Sequence, residues 1–490
     1  MFNYLNYEGM RKLYIAFFLF FFISINILAA TKIHNVLSSD NSAALATVIT
    51  NNLSSYKDYE FVFDSQTTYG NTYQIAIPAT VTSVKFKSNS SNGTLPTVYF
   101  YGLTFNDALC TNVTFDGLRL LSTAATKYVV AIETASKYPT NVTIQNCDIG
   151  SAANTLVTPN LSPYSAVVRF RNGNSYAFGN VTITNTIFRN MGTAAVSNES
   201  STTGTIESVN ISNCTFIECN QGLSYQPNLN NASSSPTTIN VSNCTYFNST
   251  NPAYFNRLPS TLTTITFDKL LFSYGGTVPV ALKVFYGASA ISLASSYITK
   301  TADVTLTNSG SPAVTNYNGL ATALMSSSAS GTYTITDASF AGKSSVGDPR
   351  WFYPVSVTKG SSTLSGFTYN YGAGSSTSQS FTLSAIALRA AITVTAPTNY
   401  EVSTDNSTFS SSVTVGAAGS DLSTTNIYVR LKAGLAVASY NSEQISIATT
   451  GATTQTVSCS GSVVTGMPQL STPGSISTSG RTTDGFTVNW

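Results

Sequence analysis

Charge is scarce in this chain. Lys, Arg, Asp and Glu supply 9% of its 490 residues, against roughly 25% in an average soluble domain. The 23 basic and 21 acidic side chains leave a net charge of +2. No basic run or acidic tail is present, so nucleic acid is not an expected partner. Histidine is scarcer still. The single one, His34, follows an apolar N-terminal segment, which excludes His-based triads and His-rich zinc sites from the body of the protein. Cysteine occurs six times, at 110, 147, 214, 219, 244 and 459, too sparsely for a disulfide scaffold. After residue 30 no apolar run is long enough to cross a membrane as a helix.

Hydrophobic residues still make up 42% of the chain and aromatics 11%, enough to build cores, with Ser, Thr and Asn supplying solubility. The length predicts two to four structural units. Met10-Arg11-Lys12 followed by the apolar run Leu13 to Ala30 reads as a secretory signal peptide over 1–30, with Met10 as a second candidate start. A retained membrane anchor is the alternative. The protein is therefore expected to be secreted or held at the cell surface, with no stable membrane span once the signal is cleaved.

A ten-residue phrase dominates the first half. "NVTFDGLRLL" from 112, "NVTIQNCDIG" from 141 and "NVTITNTIFR" from 180 are followed by "VNISNCTFIE" from 209, "INVSNCTYFN" from 239 and "ITFDKLLFSY" from 265. Columns are numbered from the first apolar residue of each phrase. Column one holds Val113, Val142, Val181, Val209, Ile239 and Ile265, and column three holds Phe115, Ile144, Ile183, Ile211, Val241 and Phe267. Apolar residues two apart with polar residues between them make a strand with one buried face. Column five holds Gly117, Asn146, Asn185, Asn213, Asn243 and Lys269. Gly and Asn tolerate a left-handed bend. Columns six and eight are mostly apolar again, so each phrase is strand, one-residue corner, strand. The starts are 29, 39, 28, 30 and 26 residues apart, which predicts a solenoid whose coils share a core and carry loops of varied length. Stacked strand on strand, this is a right-handed parallel β-helix. Cys147, Cys214 and Cys244 then point inward as small buried hydrophobes. Cys214 and Cys244 are neighbours, but side chains stacked in parallel aim both sulfurs the same way, which predicts free thiols.

A short amphipathic helix is expected to cap the N-terminal end, with Ser39 or Asp40 as N-cap and Ala44, Leu45, Val48 and Ile49 as its apolar face. The far end is expected to close near "TYTITDASFAGKSSVGDPRWFYP", residues 332 to 354. This helix, the "NVTIQNC" coils and the closing "GDPRW" (Gly347 to Trp351) resemble the secreted bacterial pectate-lyase-like β-helix proteins, over 31–355. The group most like it is largely without assigned function. Related polygalacturonases use paired aspartates and a Gly-His-Gly stretch, neither of which occurs here. Related pectate lyases use acidic residues to hold calcium and a basic residue to take a proton. No cofactor is identified from the residues themselves, and calcium is implied by the resemblance alone.

Beyond this region the phrase is gone. Short alternating strands at 392–396, 400–404, 412–416, 426–431, 443–448 and 455–463 predict a β-sandwich over 356–464. It resembles immunoglobulin-like modules found beside secreted bacterial carbohydrate-active domains, and a spacer role is expected of it. Residues 465–490 read as a linker and a truncated start of a fibronectin type III module, with Trp490 in the place of its core tryptophan.

Two surface features invite function. Asn-X-Ser/Thr triplets at Asn112, Asn141, Asn180, Asn210 and Asn240 match glycosylation acceptors, but the repeat explains them as strand residues. Columns two and four form a hydroxyl-rich strip, Thr114/Asp116, Thr143/Gln145, Thr182/Thr184, Asn210/Ser212, Asn240/Ser242 and Thr266/Asp268. That strip is either a polysaccharide-binding surface or a plain solvated face. Each coil also has a third strand, "YVVAIET" in one and "SAVVRFRN" in the next. Aligning Val130 with Val168 and Ile132 with Phe170 as inward residues puts Ala131 beside Arg169 and Glu133 beside Arg171 on the outside. Glu133, Arg169 and Arg171 are the candidate catalytic residues. In a lyase one arginine would take a proton and the other would bind a uronate carboxylate, although an arginine base is demanding at its high pKa. A surface ion pair is the alternative. The expected function is binding or β-eliminative cleavage of an acidic polysaccharide, since no close carboxylate pair suits hydrolysis. A non-catalytic adhesin or stalk, or a carbohydrate-binding surface protein, is the rival.

Overall fold

A computed structural model describes residues 31–36, 45–53, 56–64, 68–70, 74–90, 94–105, 110–122, 127–132, 139–151, 164–170, 177–191, 194–198, 205–219, 221–225, 237–249, 253–255, 263–273, 293–299, 314–327, 333–466 and 477–489. The chain divides into two compact units at Phe352/Tyr353.

The first unit is a parallel β-solenoid built of three sheets, with 10, 7 and 10 strands among the described residues. The first half of every phrase lies in one sheet. Val142 pairs with Val113 on one side and Val181 on the other, and the register runs unbroken to Val209, Ile239 and Ile265. The second half lies in the next sheet, where Ile149, Phe188, Phe216, Tyr246 and Phe272 align. Between them the corner residues are left-handed as column five predicts, with φ of 56° at Asn146, 51° at Asn185, 54° at Asn213, 53° at Asn243 and 55° at Lys269. Ser295, at φ 49°, carries the corner one coil further than the sequence pattern reached.

Columns one, three, six and eight line the core, apart from Ile265, which is only partly buried. The aromatic rings stack from coil to coil. Phe188, Phe216, Tyr246 and Phe272 have centroids 4.9, 4.7 and 5.3 Å apart in turn, and Phe61, Phe86 and Phe115 are spaced 5.5 and 5.1 Å. Such offset stacks add to the stabilisation from burial. All six cysteines are buried free thiols. The N-terminal helix spans Leu45–Asn52 and buries Ile49. The residues expected to cap it, Ser39 and Asp40, lie outside the described residues, as do residues 1–30 and the closing Trp490.

The C-terminal part of this unit differs from expectation. The parallel ladder ends at Thr315–Tyr317 on the second sheet, and Met325–Ser327 pairs antiparallel with Tyr333–Ile335. The segment after it does not close the end of the stack. It runs back along the outer face of the second sheet, because that face offers unfilled apolar and hydroxyl positions. Tyr333 stacks on Phe247 at 4.0 Å, and Gly347 N donates to Lys269 O at 2.8 Å.

The second unit is a sandwich of a four-stranded and a five-stranded sheet. Their facing side chains, including Phe367, Phe381, Tyr400, Ile427 and Val457, form its core. Three strands escaped the sequence reading: Ser356–Lys359, Thr363–Asn370 and Gln379–Ile386. In the middle one Gly366 (φ 82°) makes a bulge that breaks the alternation. A separate antiparallel pair joins Ser477–Thr482 to Gly485–Asn489.

Candidate functional site

The first sheet presents a flat outer face of polar side chains. Columns two and four stand in strict register from Thr114 and Asp116 to Thr266 and Asp268. Asparagines bond along this face at two positions, Asn112, Asn141 and Asn180 just before column one and Asn210 and Asn240 in column two. Asn141 Nδ2 donates to Asn112 Oδ1 at 3.0 Å, Asn180 Nδ2 to Asn141 Oδ1 at 2.9 Å, and Asn240 Nδ2 to Asn210 Oδ1 at 2.9 Å. The Asn-X-Ser/Thr triplets thus have an architectural use. The hydroxyls of Thr114, Thr143, Thr182, Thr184, Ser212, Ser242 and Thr266 differ. They are half-buried or exposed and bond to no described residue. The face therefore keeps a row of unused donors and acceptors.

Its N-terminal end is charged, which the sequence reading missed. Lys85 and Lys87 extend columns two and four by one coil. Lys85 Nζ lies 3.2 Å from Asp116 Oδ2, and Lys87 Nζ lies 2.7 Å from Glu60 Oε1. Burial pushes the Asp116 carboxyl up, but hydrogen bonds from Asn146, Gln145 and Lys85 outweigh it and hold it below the usual carboxylate range. The signal was the alternation in "VKFKSN", which fits the phrase without its asparagine.

On the third sheet the expected register is present. Val130, Ala131 and Ile132 pair with Val168, Arg169 and Phe170. Arg169, however, is not open to solvent. It is 5% exposed, with its guanidinium 4.3 Å from the centroid of the Tyr128 ring. Its neighbours Val129, Val167, Ala195 and Ser197 are buried too, so both faces of this sheet are covered. The near-continuous apolar runs "YVVAI" and "SAVV" carry that signal, since a strand covered on both faces loses its alternation. Glu133 and Arg171 lie outside the described residues, and with them the expected ion pair.

The second sheet is covered in part by residues 333–352. Asp348, 1% exposed, is the centre of that contact. Its carboxylate accepts from Thr215 Oγ1 at 2.6 Å and from Arg350 N and Nε at 3.0 Å. Arg350 Nη1 donates to Asn185 O at 3.2 Å, and its Nη2 donates to Thr186 O at 3.2 Å and Asn213 O at 3.1 Å. Trp351 Nε1 donates to Thr215 Oγ1 at 2.6 Å. "GDPRW" is thus a clamp across neighbouring coils, and its charges are used up in holding them.

Past the clamp, charged side chains occupy columns seven, nine and ten on successive coils: Arg119, Asp148, Arg189 and Glu218. Arg189 Nε donates to Asp148 Oδ1 at 2.8 Å. Glu218 takes a left-handed corner at φ 52°, where the neighbouring coils have Asn190 and Asn248. Desolvation raises its carboxyl above the ordinary value.

Among the described residues no three His, Cys, Asp or Glu side chains gather as a metal site. The calcium implied by resemblance has no ligand set there, and Asp116 and Asp268 lie too many coils apart to share an ion. No described helix is long and apolar enough to cross a membrane.

No family model matches the chain, and no curated protein matches it. Among solved structures, the CooA pilin subunit of enterotoxigenic Escherichia coli is matched over 22% of this chain and 98% of the pilin, at 11% identity and a TM-score of 0.16, a level of likeness that carries no argument.

Proposed function

We propose that the chain is an exported glycan-binding protein whose solenoid lays an extended polysaccharide along the outer face of the first sheet. The observation behind this reading is the set of threonine and serine hydroxyls in columns two and four, held in register and bonded to no described residue. Column two holds threonine on three adjacent coils, Thr114, Thr143 and Thr182, at a strand spacing of ~4.8 Å, so a polymer of like units meets like groups across them. Lys85 and Lys87 at one end are paired with Asp116 and Glu60, so the strip itself sets no preference for a charged polymer. Binding is preferred to β-elimination because Arg169 is buried and Asp348 and Arg350 are committed to the clamp. The repeat, the clamp and the parallel sheets support membership of the pectate-lyase-like β-helix proteins. The parallel pairing of Thr363–Asn370 with Gln455–Val464 in an otherwise antiparallel sheet supports an immunoglobulin-like second unit.

The rival is a stalk or adhesin that uses the solenoid only as a spacer. The asparagine ladder favours it, since that part of the face satisfies itself. A panel of neutral and acidic polysaccharides, read for binding and for absorbance of unsaturated product, separates the readings. Binding without product is expected. Product formation would establish a lyase, and neither signal would leave the stalk.

A further inference from the structure

Arg119 is the anomaly of the second sheet. Register sets it between Thr97 on one coil and Asp148 on the next. It is half-buried, its Nε is shielded from solvent without an acceptor, and its guanidinium makes no hydrogen bond or ion pair with a described residue. Asp148 stands beside it but is bonded to Arg189 on the following coil. A partly desolvated guanidinium with an unmade hydrogen bond weakens a fold. The same column on later coils holds Ile187, Thr215, Thr245 and Leu271, all of which fill the place without that penalty. In a chain with 23 basic residues, an arginine left unpaired at a half-buried position is poised for an anion from outside.

We propose that Arg119 is an anion subsite that takes the carboxylate or sulfate ester of a glycan lying against the second sheet. The planar fork of a guanidinium matches either group with two parallel hydrogen bonds. The Asp148–Arg189 pair lies next along the stack and offers an acceptor and a donor to adjoining hydroxyls. Tyr99, half-buried on the preceding coil, presents an aromatic ring to the same face. The subsite deepens the glycan-binding reading: it rests on that reading and adds a charge requirement and a second face.

The test titrates wild-type protein and Arg119→Gln with three probes: a carboxylated oligogalacturonide, its methyl ester and a sulfated oligosaccharide. Wild-type protein is expected to bind one anionic probe more tightly than the neutral ester, with an affinity that falls as salt rises. Arg119→Gln should lose about tenfold or more on that probe and nothing on the ester. The probe preferred tells carboxylate from sulfate. Equal binding of the anionic probes by both proteins overturns the subsite, and so does a wild type that treats charged and neutral probes alike. If the ester binds both proteins while no anionic preference exists, the hydroxyl-strip reading stands and the subsite falls. If no probe binds, both fall. Arg119→Gln should melt no lower than wild type without ligand, and a marked drop would show that the cation holds the fold and would also overturn the subsite.

Discussion

At the scale of single residues, inward and outward places are decided by what a coil can bury. Cys147 and Cys219 sit fully inside, and burial pushes each thiol up to about 12. Cys110 and Cys459 are raised likewise, to about 12. A thiol whose folded pKa lies above its unfolded value favours the fold below the unfolded pKa, near 8.5, and that contribution is lost as pH rises toward 12. Two results are expected. A thiol reagent at neutral pH should label none of the six cysteines in the native protein and all six after denaturation. Melting temperature should fall between pH 9 and 11, and Cys147→Ala should flatten that fall. Rapid native labelling of Cys147, Cys214 or Cys244 would contradict their inward placement.

At the scale of elements, the clamp shows a short segment holding a long one. Gly347 has φ 85°, and a Cβ there would come within 2.6 Å of Thr245 Oγ1 and 3.1 Å of Leu271 Cβ, so the approach requires glycine. Asp348 then fixes Arg350 under the corner carbonyls of Asn185 and Asn213. Asp348→Ala removes the carboxylate that pairs with Arg350 and accepts from Thr215, and should destabilise the solenoid by about 3 kcal/mol, visible as a lower midpoint in denaturant. An unchanged midpoint would mean that the segment rests on the solenoid without holding it. "GDPRW" was visible in the sequence, but its place was not. The phrase carries its own register, since every coil repeats the same local choice of strand, asparagine corner and strand. The clamp depends on pairs such as Asp348 with Thr215, 133 residues apart, and no local pattern encodes which coil a distant segment meets. Arg169 was misjudged for a related reason. Its strand neighbours Val167 and Val168 are both buried, so outward in register did not mean open to solvent. Arg119 was legible in column seven, a column that was not read for function.

At the scale of the whole molecule, each unit draws its order from a different source. The solenoid takes it from repetition and the sandwich from two facing sheets. Repetition also holds the outer side chains of the first sheet in register, and their unused hydroxyls are the feature most directly tied to the proposed function. Thr114, Thr143 and Thr182 occupy the same column on adjacent coils. Replacing all three by valine keeps β-branching and shape while removing the hydroxyls, so the fold should hold. Each lost hydrogen bond is worth about 1 kcal/mol. The deciding measurement is the affinity of this triple variant for the polysaccharide that binds wild-type protein best. The account predicts a loss on the order of 100-fold with the melting temperature unchanged. Wild-type affinity in a folded triple variant would contradict it.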